Sequence, residues 1–493
     1  MKFIVKLFPE ITIKSPPVRK RFIKQLRKNI RKIIKRADEH IDVTGLWDYI
    51  EVTTSSNDAV VVAEVGDLLS HIPGVCYWLQ VADYPIADMD DILEKALAVY
   101  TEELSGKTFC VRCQRSGKHS FSSVDVERYI GGGLNQKTKA AGVSLSNPDI
   151  TVRIEIKQDR YFLIKQRREG LGGYPLGTQE PVLSLISGGF DSTVSSFLTM
   201  KRGIRTHFCF FNLGGHAHEL AVKEVAYYLW SRFGSSHAVR FVTVPFESVV
   251  HEILENVDNA QMGVVLKRMM LRAATDIAKE MGLTALVTGE AVAQVASQTL
   301  TNLAVIDSVT DHLVLRPLAT MDKQDIINLA AKIGTEQFVH NIPEYCAVVS
   351  KKPTTCARQD RIAAKEAKFD FGILKEAVNN RKIVFVNDII ADDLTREHVK
   401  VVSDLGKDDV VVDIRHPDEE NIKPLIIPDR ELLHIPFYQL LTKFSELDKQ
   451  KHYVLYCEKG VMSQLHAMHL KDEGYENVSV YKPAVISNTK GAF

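Results

Sequence analysis

The sequence predicts a multidomain α/β protein, and three observations support this expectation. The chain has 493 residues, which is enough for about three domains. Its first part alternates strands and helices in the order β-α-β-β-α-β, the ferredoxin-like arrangement. From Val182 onward, apolar strands alternate with amphipathic helices. This pattern predicts a doubly wound parallel sheet, with one more small α/β unit starting near Asp404.

The N-terminal unit begins with a strand of alternating apolar and polar residues from Lys2 to Phe8. Pro16 then opens a helix whose apolar residues recur at helical spacing as far as Ile34. We expect this ferredoxin-like domain to span residues 1–60, with its last strand ending near residue 80. Its other predicted elements are strands at 46–52 and 75–81 and a helix at 65–70.

A second unit is predicted over residues 61–168, and a glycine-rich linker at 170–177 ends it. The doubly wound unit follows at 177–395, and the small last unit at 404–493. The elements predicted for the second unit are helices at 90–104 and 123–136, a strand at 108–114 and a hairpin of strands at 150–156 and 161–165.

Charge is balanced over the whole chain but concentrated at its beginning. Lys plus Arg and Asp plus Glu both number 62, whereas Glu10 is the only acidic residue between Met1 and Arg36. A basic end on a neutral protein predicts a local surface for a polyanion, although a solvated helix face has the same composition. The residues of this helix that we expect to contact the polyanion are Arg19, Lys24, Arg27, Lys28 and Arg31.

The chain contains no apolar run of the ~20 residues that a membrane helix needs, and its N-terminus does not resemble a signal peptide. Seven cysteines are scattered along it. We therefore expect a cytoplasmic protein with no membrane partner, whose thiols are reduced and include one or two reactive ones.

A glycine-rich loop carries the strongest local signal. The sequence S-G-G-F-D-S at Ser187 to Ser192 directly follows the apolar strand 182–186 and precedes a helix. Its two glycines allow a tight bend, so backbone N–H groups and the helix N-terminus can cradle an anion. Asp191 cannot bind phosphate itself, so it is the candidate ligand of a Mg²⁺ ion on those phosphates.

This loop matches the PP-loop of ATP pyrophosphatases, which adenylate a substrate and release pyrophosphate. A plain glycine-rich turn is the alternative, and the complete strand–loop–helix context argues against it. A Walker A loop is excluded, because the only candidate, Gly106 to Thr108, follows a helix and has Thr101 where the first glycine should stand. Downstream residues that could line the same pocket are Lys267, Gly289, Gln294, Gln298 and Lys323.

Cys457 stands at the end of the predicted strand 453–456, before a short loop and a helix. Backbone N–H groups of such a loop surround the sulfur, and we expect them to lower its pKa and give a thiolate at neutral pH. An inert buried cysteine is the alternative. Cys110 and Cys113 have C-x-x-C spacing, but no second pair of ligands accompanies them, so we interpret them as structural.

Two stretches outside the loop resemble known domains. Val411 to Glu420 together with the Cys457 loop resembles a rhodanese domain, in which the loop cysteine carries a persulfide. Thr108 to Gly131 resembles a THUMP domain, which binds the acceptor end of tRNA, although a basic solvated hairpin is the alternative. The tRNA contacts expected in that stretch are Arg112, Arg115, Lys118 and His119.

The order of ferredoxin-like, THUMP, PP-loop and rhodanese units resembles the ThiI family of tRNA 4-thiouridine synthetases over nearly the whole chain. The sequence P-E-Y-C ending at Cys346 and the terminal rhodanese unit make the resemblance specific. It implies that Asp191, Lys323, Cys346 and Cys457 are catalytic and that the two cysteines form a redox disulfide. The ATP contacts it implies are Leu185, Ile186, Ser187, Gly188, Gly189, Asp191, Ser192, Lys267, Gly289 and Gln298.

The reaction implied by this resemblance is ATP-dependent transfer of persulfide sulfur to uridine 8 of tRNA, through adenylation of the uridine, which yields 4-thiouridine. ATP and Mg²⁺ are the implied cofactors. The implied partners are tRNA, a cysteine desulfurase as sulfur donor, a small sulfur-carrier protein for thiamine thiazole synthesis, a thiol reductant and a second copy in a homodimer.

Two other functions remain as alternatives. An amide-forming PP-loop synthetase would carry a glutaminase domain or a lysidine-type insert, and neither is visible in the sequence. A tRNA-binding protein with a vestigial ATPase would not need the intact loop and both thiols. Nucleotide turnover in the presence of tRNA separates these alternatives.

Overall fold

The computed structural model describes residues 1–213, 215–339, 353–389, 399–415, 417–428, 430–458 and 460–483. The chain divides into two compact units, Met1–Pro175 and Leu176–Phe493. Within the described ranges, no helix combines the length and apolarity that crossing a membrane requires.

One mixed sheet forms the framework of the first unit. Its strands are β1 (Lys2–Leu7), β2 (Asp42–Gly45), β3 (Tyr49–Thr53), β4 (Val75–Pro85), β5 (Thr108–Ser116), β6 (Gly142–Val143), β7 (Ile150–Lys157) and β8 (Arg160–Glu169). They lie in the order β2-β3-β1-β4-β8-β7-β5-β6. The long strand β4 pairs antiparallel with both β1 and β8, so it joins the two predicted domains into one continuous sheet.

The helices of this unit are α1 (Pro9–Thr12), α2 (Pro16–Ile34), α3 (Ala59–Ser70), α4 (Met89–Tyr100) and α5 (Ser123–Lys137). Helix α2 starts with Pro16 at its first position, where the missing N–H costs nothing, and it buries its predicted apolar stripe. Val65 and Leu69 of α3 pack in the same core as Leu26 of α2. This core therefore extends past the domain boundary that the sequence placed at residue 60.

The strand predicted at 46–52 is confirmed in part: β3 covers Tyr49–Thr53, whereas residues 46–48 form a turn, and β2 was not predicted. The backbone N–H of Leu46 donates to the carbonyl oxygen of Tyr49 at 2.9 Å, which closes a tight turn between β2 and β3. Apolar Leu46 and Trp47 in the turn extended the predicted strand at its N-terminal end. Helices α4 and α5 pack on β5 and β7 in a second core, as the sequence predicts for the second domain.

The larger sheet of the second unit contains β9 (Gln179–Leu185), β10 (Ile204–Asn212), β11 (Arg240–Pro245), β12 (Ala285–Val287), β13 (Leu313–Leu315) and β14 (Lys382–Phe385). Its order is β13-β12-β9-β10-β11-β14. All neighbours are parallel except β14, which adds an antiparallel edge. Because the chain moves to one side from β9 to β11 and to the other side for β12 and β13, a crevice opens between β9 and β12.

The described helices around this sheet are α6 (Phe190–Lys201), α7 (Gly215–Leu229), α8 (Glu247–Asn256), α9 (Met262–Glu280), α10 (Leu300–Asp307), α11 (Lys323–Lys332), α12 (Glu336–Val339), α13 (Gln359–Glu366) and α14 (Phe371–Asn379). A π-helical turn, Trp230–Gly234, extends α7, and short 3₁₀ turns occupy Ala296–Gln298 and Val386–Asp388.

The last sheet is entirely parallel. Its strands are β15 (Val401–Val402), β16 (Val410–Asp413), β17 (Leu432–His434), β18 (Tyr453–Tyr456) and β19 (Val478–Tyr481), in the order β15-β19-β18-β16-β17. Its helices are α15 (Pro417–Ile422), α16 (Phe437–Phe444) and α17 (Val461–Asp472).

The small domain packs on the doubly wound domain through aromatic rings. The ring of Phe437 in α16 lies 4.8 Å from that of Phe338 in α12, which in turn lies 5.0 Å from that of Tyr228 in α7. Beside them, His466 Nε2 of α17 lies 3.6 Å from Glu224 Oε2 of α7, and both side chains are buried.

Two adjacent glycines of α5 give a matched test of how this helix packs in the first unit. A Cβ on Gly133 would lie 2.4 Å from Cδ2 of the buried Leu93, whereas a Cβ on Gly132 would meet nothing within 4 Å. Gly132→Ala should stabilise the first unit by about 0.5–1 kcal/mol, since alanine loses less backbone entropy. Gly133→Ala should destabilise it by about 1–3 kcal/mol, because Leu93 has to move. Amide hydrogen exchange of α5 in the full chain measures both changes, and equal effects would contradict the packing.

Candidate active site

The S-G-G-F-D-S loop leaves the carboxyl end of β9, at the crevice where the strand order reverses. Ser192 holds the loop from inside. Its Oγ accepts a hydrogen bond from the backbone N–H of Ser187 at 3.1 Å and donates to the carbonyl oxygen of Gly189 at 3.2 Å. Gly188 has φ +84°, a conformation in which a side chain would be strained. These contacts give the loop a tight bend of the kind that can cradle an anion.

The loop after β12 closes on the first turn of α6 at Gly289. A Cβ there would lie 2.5 Å from the backbone nitrogen of Ser192 and 2.6 Å from the carbonyl carbon of Asp191. Both atoms are backbone, so neither can move aside without shifting α6. The sequence singled out Gly289 as a nucleotide contact, and the structure adds that only glycine fits this approach.

Asp191 and Lys323, which are 132 residues apart, meet at this edge of the sheet. Lys323 Nζ donates to Asp191 Oδ1 at 2.8 Å, and Gln294 Nε2 donates to Oδ2 at 2.8 Å. Both carboxylate oxygens thus have partners. Each oxygen accepts one of these hydrogen bonds and keeps a second lone pair, so the Mg²⁺ role of Asp191 stays a prediction.

A buried ionic network lies on the other side of the crevice. Lys267 Nζ lies 2.7 Å from Glu290 Oε1, and Arg316 Nε lies 2.8 Å from Glu290 Oε2. Burial alone would raise the pKa of Glu290, but the two cations hold it below its ordinary value. Glu290 therefore stays ionised and fixes the Lys267 ammonium at the pocket.

Of the remaining predicted nucleotide contacts, Leu185 ends β9, and Ile186 and Gln298 are buried. Ile186 is buried, and its backbone N–H donates to the carbonyl oxygen of Cys209 at 2.9 Å. Gln298 is also buried, and within the described residues its Oε1 has no hydrogen-bond partner. A buried carbonyl without a donor is costly, which is consistent with a ligand completing its hydrogen bonds. Sequence reasoning missed Arg316, although its place directly after β13 is a signal that could have found it.

Cys457 begins the loop between β18 and α17. Its Sγ accepts a hydrogen bond from the backbone N–H of Ser463 at 3.3 Å and contacts Ser463 Oγ at 3.3 Å. The predicted ring of donors is therefore present. The predicted low pKa is wrong, however: burial raises the pKa of the Cys457 thiol above its ordinary value, and the hydrogen bonds from Ser463, Met462 and Gly460 offset only part of that rise.

A buried ion pair supports the Cys457 loop from the neighbouring strand. Arg415 Nε donates to Asp413 Oδ1 at 2.9 Å, and the guanidinium lies 5.2 Å from the ring centre of Tyr456. Ligand atoms of Asp413, Glu420 and His434 lie within 4.8 Å of one another. Since Arg415 already neutralises Asp413 and His434 contacts Glu420, we interpret this group as structural contacts of the fold.

Cys346 lies outside the described residues, so its pairing with Cys457 remains a prediction. Cys110 and Cys113 are both buried in β5. Their side chains leave opposite faces of the strand, since Cys113 joins the helix-covered core while Cys110 Sγ faces Thr151 Oγ1 at 3.8 Å. This geometry agrees with their structural interpretation.

One of the polyanion contacts predicted on the basic face of α2 is wrong. Arg19 is only 8% exposed, and its guanidinium donates to Asp48 Oδ1 at 2.7 Å and stacks over the ring of Trp47. Arg19 thus holds the β2–β3 turn and does not belong to a polyanion surface. Arg27 is half-buried and Lys24, Lys28 and Arg31 are exposed, so this face of α2 remains available.

The predicted contacts of the second domain are more constrained. Arg115 donates to His119 Nδ1 at 3.0 Å, and the His119 ring stacks on Phe121. Arg112 donates to the carbonyl oxygen of Leu145 at 2.9 Å. Lys118 is exposed beside them.

Profiles of known families match all four parts of the chain. They are the ThiI ferredoxin-like domain at residues 2–77, the THUMP domain at 86–164, the thiamine biosynthesis protein (ThiI) at 177–371 and the rhodanese-like domain at 398–484. The chain is 56% identical over 485 residues to the tRNA sulfurtransferases of Shigella dysenteriae serotype 1 (strain Sd197) and Escherichia coli O157:H7, covering 98% of this chain and 100% of each relative.

The chain belongs to the tRNA sulfurtransferase family. The predicted order of the four domains is confirmed.

Two solved structures extend this comparison. A 4-thiouridine synthetase, described as a complex with RNA and bound ATP, matches with a TM-score of 0.69 and 26% identity, over 78% of this chain and 99% of that one. PH1313 from Pyrococcus horikoshii Ot3 shares the fold, with a TM-score of 0.52 and 18% identity over 68% of this chain and 100% of that one.

The surroundings of Cys457 predict an unusual pH dependence for this member of the tRNA sulfurtransferase family. Because burial raises the thiol pKa, alkylation of Cys457 by iodoacetamide should rise with pH along a curve that is shifted to higher pH than that of a free thiol. Ser463→Ala removes one hydrogen-bonding group from the sulfur and should shift the curve to still higher pH. Peptide mass spectrometry follows the labelling, with the exposed Cys356 in the same digest as the reagent standard. A curve centred below neutral pH would contradict the geometry.

Proposed function

We propose that this protein uses ATP to move persulfide sulfur onto uridine 8 of tRNA, giving 4-thiouridine. The observation that carries the proposal is 56% identity to tRNA sulfurtransferases across 98% of the chain, with the phosphate loop and the loop cysteine both in place. The structural match to a 4-thiouridine synthetase described with RNA and ATP supports the choice of substrates.

The first step is adenylation of the uridine. The loop N–H groups and the N-terminus of α6 would hold the phosphates of ATP, which enters with its own Mg²⁺. Lys267, fixed by Glu290, and Lys323, fixed by Asp191, are cations placed to balance charge on the phosphates. The uridine O4 attacks the α-phosphorus, and pyrophosphate leaves.

The second step transfers sulfur. The outer sulfur of a Cys457 persulfide attacks C4 and AMP leaves, which joins the base to Cys457 through a disulfide. The Cys346 thiol then attacks the Cys457 sulfur, so 4-thiouridine is released and a Cys346–Cys457 disulfide forms. A two-electron thiol reductant restores both cysteines. Sulfide released from the persulfide is the other form in which the sulfur could reach C4.

Several partners follow from this chemistry. A cysteine desulfurase would load Cys457, and the same persulfide would supply a small sulfur-carrier protein for thiamine thiazole synthesis. The available face of α2 and the basic residues of the second domain would bind tRNA phosphates. A homodimer is part of the same proposal.

Two variants should separate the steps. Asp191→Ala should lose pyrophosphate release and thiolation by about 10²-fold or more, yet still accept sulfur at Cys457, because the two sites lie in different domains. Cys457→Ser should release pyrophosphate with tRNA but form no persulfide and no 4-thiouridine. Pyrophosphate assays and mass spectrometry of peptides and tRNA nucleosides measure these outcomes.

The same assays discriminate the alternatives. Wild-type protein that never turns over ATP with tRNA would fit a vestigial ATPase. Pyrophosphate release without 4-thiouridine, even with a loaded Cys457, would favour another PP-loop synthetase. Thiolation by Cys457→Ser with desulfurase as donor would exclude the persulfide scheme.

Affinity for tRNA should fall steeply as salt rises, because each neutralised phosphate releases counterions. Charge reversal at the exposed Lys28 or Arg31 should reduce the slope of log affinity against log salt by about 1 each. Lys443→Glu, an exposed site in the last domain, is the control. Filter binding across a salt series measures the slopes, and an affinity independent of salt would rule this surface out.

A further inference from the structure

Gln294 lies at the phosphate loop, and the proposed chemistry gives this residue no role. It lies in the loop after β12, and its amide Nε2 donates to Asp191 Oδ2 at 2.8 Å. Lys323, at the start of α11, donates to the other oxygen of the same carboxylate at 2.8 Å. Two segments far apart in the sequence thus fix the rotation of one side chain.

The backbone next to Gln294 is strained. Ala293 has φ +63°, and among the described residues Gln158 is the only other non-glycine residue with a positive φ. The Ala293 N–H donates to the carbonyl oxygen of Gln298 at 3.0 Å, which closes the turn. A non-glycine residue adopts this conformation only where its surroundings impose it, and such positions cluster at functional sites.

The orientation of the Gln294 amide follows from its chemistry. The carboxylate of Asp191 only accepts hydrogen bonds when it is ionised, so the NH₂ group must face it. The Oε1 atom is therefore turned away, and within the described residues it is buried with no hydrogen-bond partner. The turn therefore contains a buried oxygen without a partner and a strained backbone at Ala293. In this arrangement one donor points at Asp191.

We infer that Gln294 is a positioning residue, which fixes the Asp191 carboxylate and through it the Lys323 ammonium. The inference rests on the proposed function, since it takes Asp191 and Lys323 as the working pair of the adenylation site. Without the Gln294 donor, the carboxylate can rotate and Lys323 can follow it. The rate of adenylation should then suffer more than the binding of ATP or tRNA.

The first test removes the donor and keeps the length of the side chain. Gln294→Met should lower kcat for tRNA-dependent pyrophosphate release by about 10²-fold, because misplacement by about 1 Å costs that much. KM for ATP and tRNA should change by no more than about twofold. The control is Gln324→Met, which alters an exposed amide next to Lys323 that bonds to Asn328 instead; it should keep wild-type kcat.

The second test has a signature that loss of folding cannot imitate. In Gln294→Glu, the introduced carboxyl restores a donor toward Asp191 only while it carries a proton. At high pH both carboxylates ionise and repel each other. The kcat of this variant should therefore approach the wild-type value at low pH and fall as pH rises. The kcat of wild type should show no such fall.

Asp191→Asn, assayed together with these variants, distinguishes failure of the positioning role from failure of the proposed adenylation site. If Asp191→Asn keeps wild-type kcat, the proposed adenylation site itself fails. If Asp191→Asn is inactive while Gln294→Met keeps wild-type kcat, only the positioning role is overturned. Should Gln294→Met unfold, the pH profile of Gln294→Glu decides, and a profile parallel to that of wild type overturns the inference.

Discussion

The proposed adenylation site depends on one close approach, between Gly289 and the first turn of α6. The loops after β9 and β12 leave neighbouring strands toward opposite faces of the sheet, so by themselves they would diverge. At Gly289 they come so near that a single Cβ would collide with the backbone of Asp191 and Ser192. This contact brings Asp191 within reach of Gln294 and Lys323, and it defines the crevice that Lys267 borders.

Burial has opposite consequences at the two chemical sites. Glu290 is buried between Lys267 and Arg316, and their charges outweigh desolvation, so the carboxylate keeps its charge. Cys457 is buried among uncharged donors, which do not outweigh desolvation, so its thiol keeps its proton. A buried, protonated thiol is protected from oxidation, since oxidants react with exposed thiolates. In the proposed scheme, opening of the loop or approach of a cation would favour the thiolate of Cys457.

The contact between the last two domains joins elements that matter for sulfur transfer. Phe437 packs on Phe338 of α12, the helix just before the segment that contains Cys346. Beside the rings, burial raises the pKa of Glu224 to about 8 and lowers that of His466 to about 3, so both are uncharged at neutral pH. A neutral contact of this kind carries no ionic cost when it separates.

Local patterns were sufficient to predict much of this protein. The spacing of apolar residues after Pro16 gave the bounds of α2, and S-G-G-F-D-S placed a phosphate loop before α6, because both depend on neighbours within a few residues. The resemblance supplied the domain order, while the catalytic roles of Asp191 and Lys323 and the Cys346–Cys457 disulfide stay predictions.

What the sequence could not show depends on contacts between distant residues. Strand β4 belongs to two domains because it has partners on both sides, Arg19 is removed from solvent by the β2–β3 turn, and Gln294 reaches Asp191 across 103 residues. The pKa of Cys457 is the clearest case. Donors in its loop are visible in the sequence, but the desolvation that outweighs them comes from the whole packed domain, and burial exists only once the chain has folded.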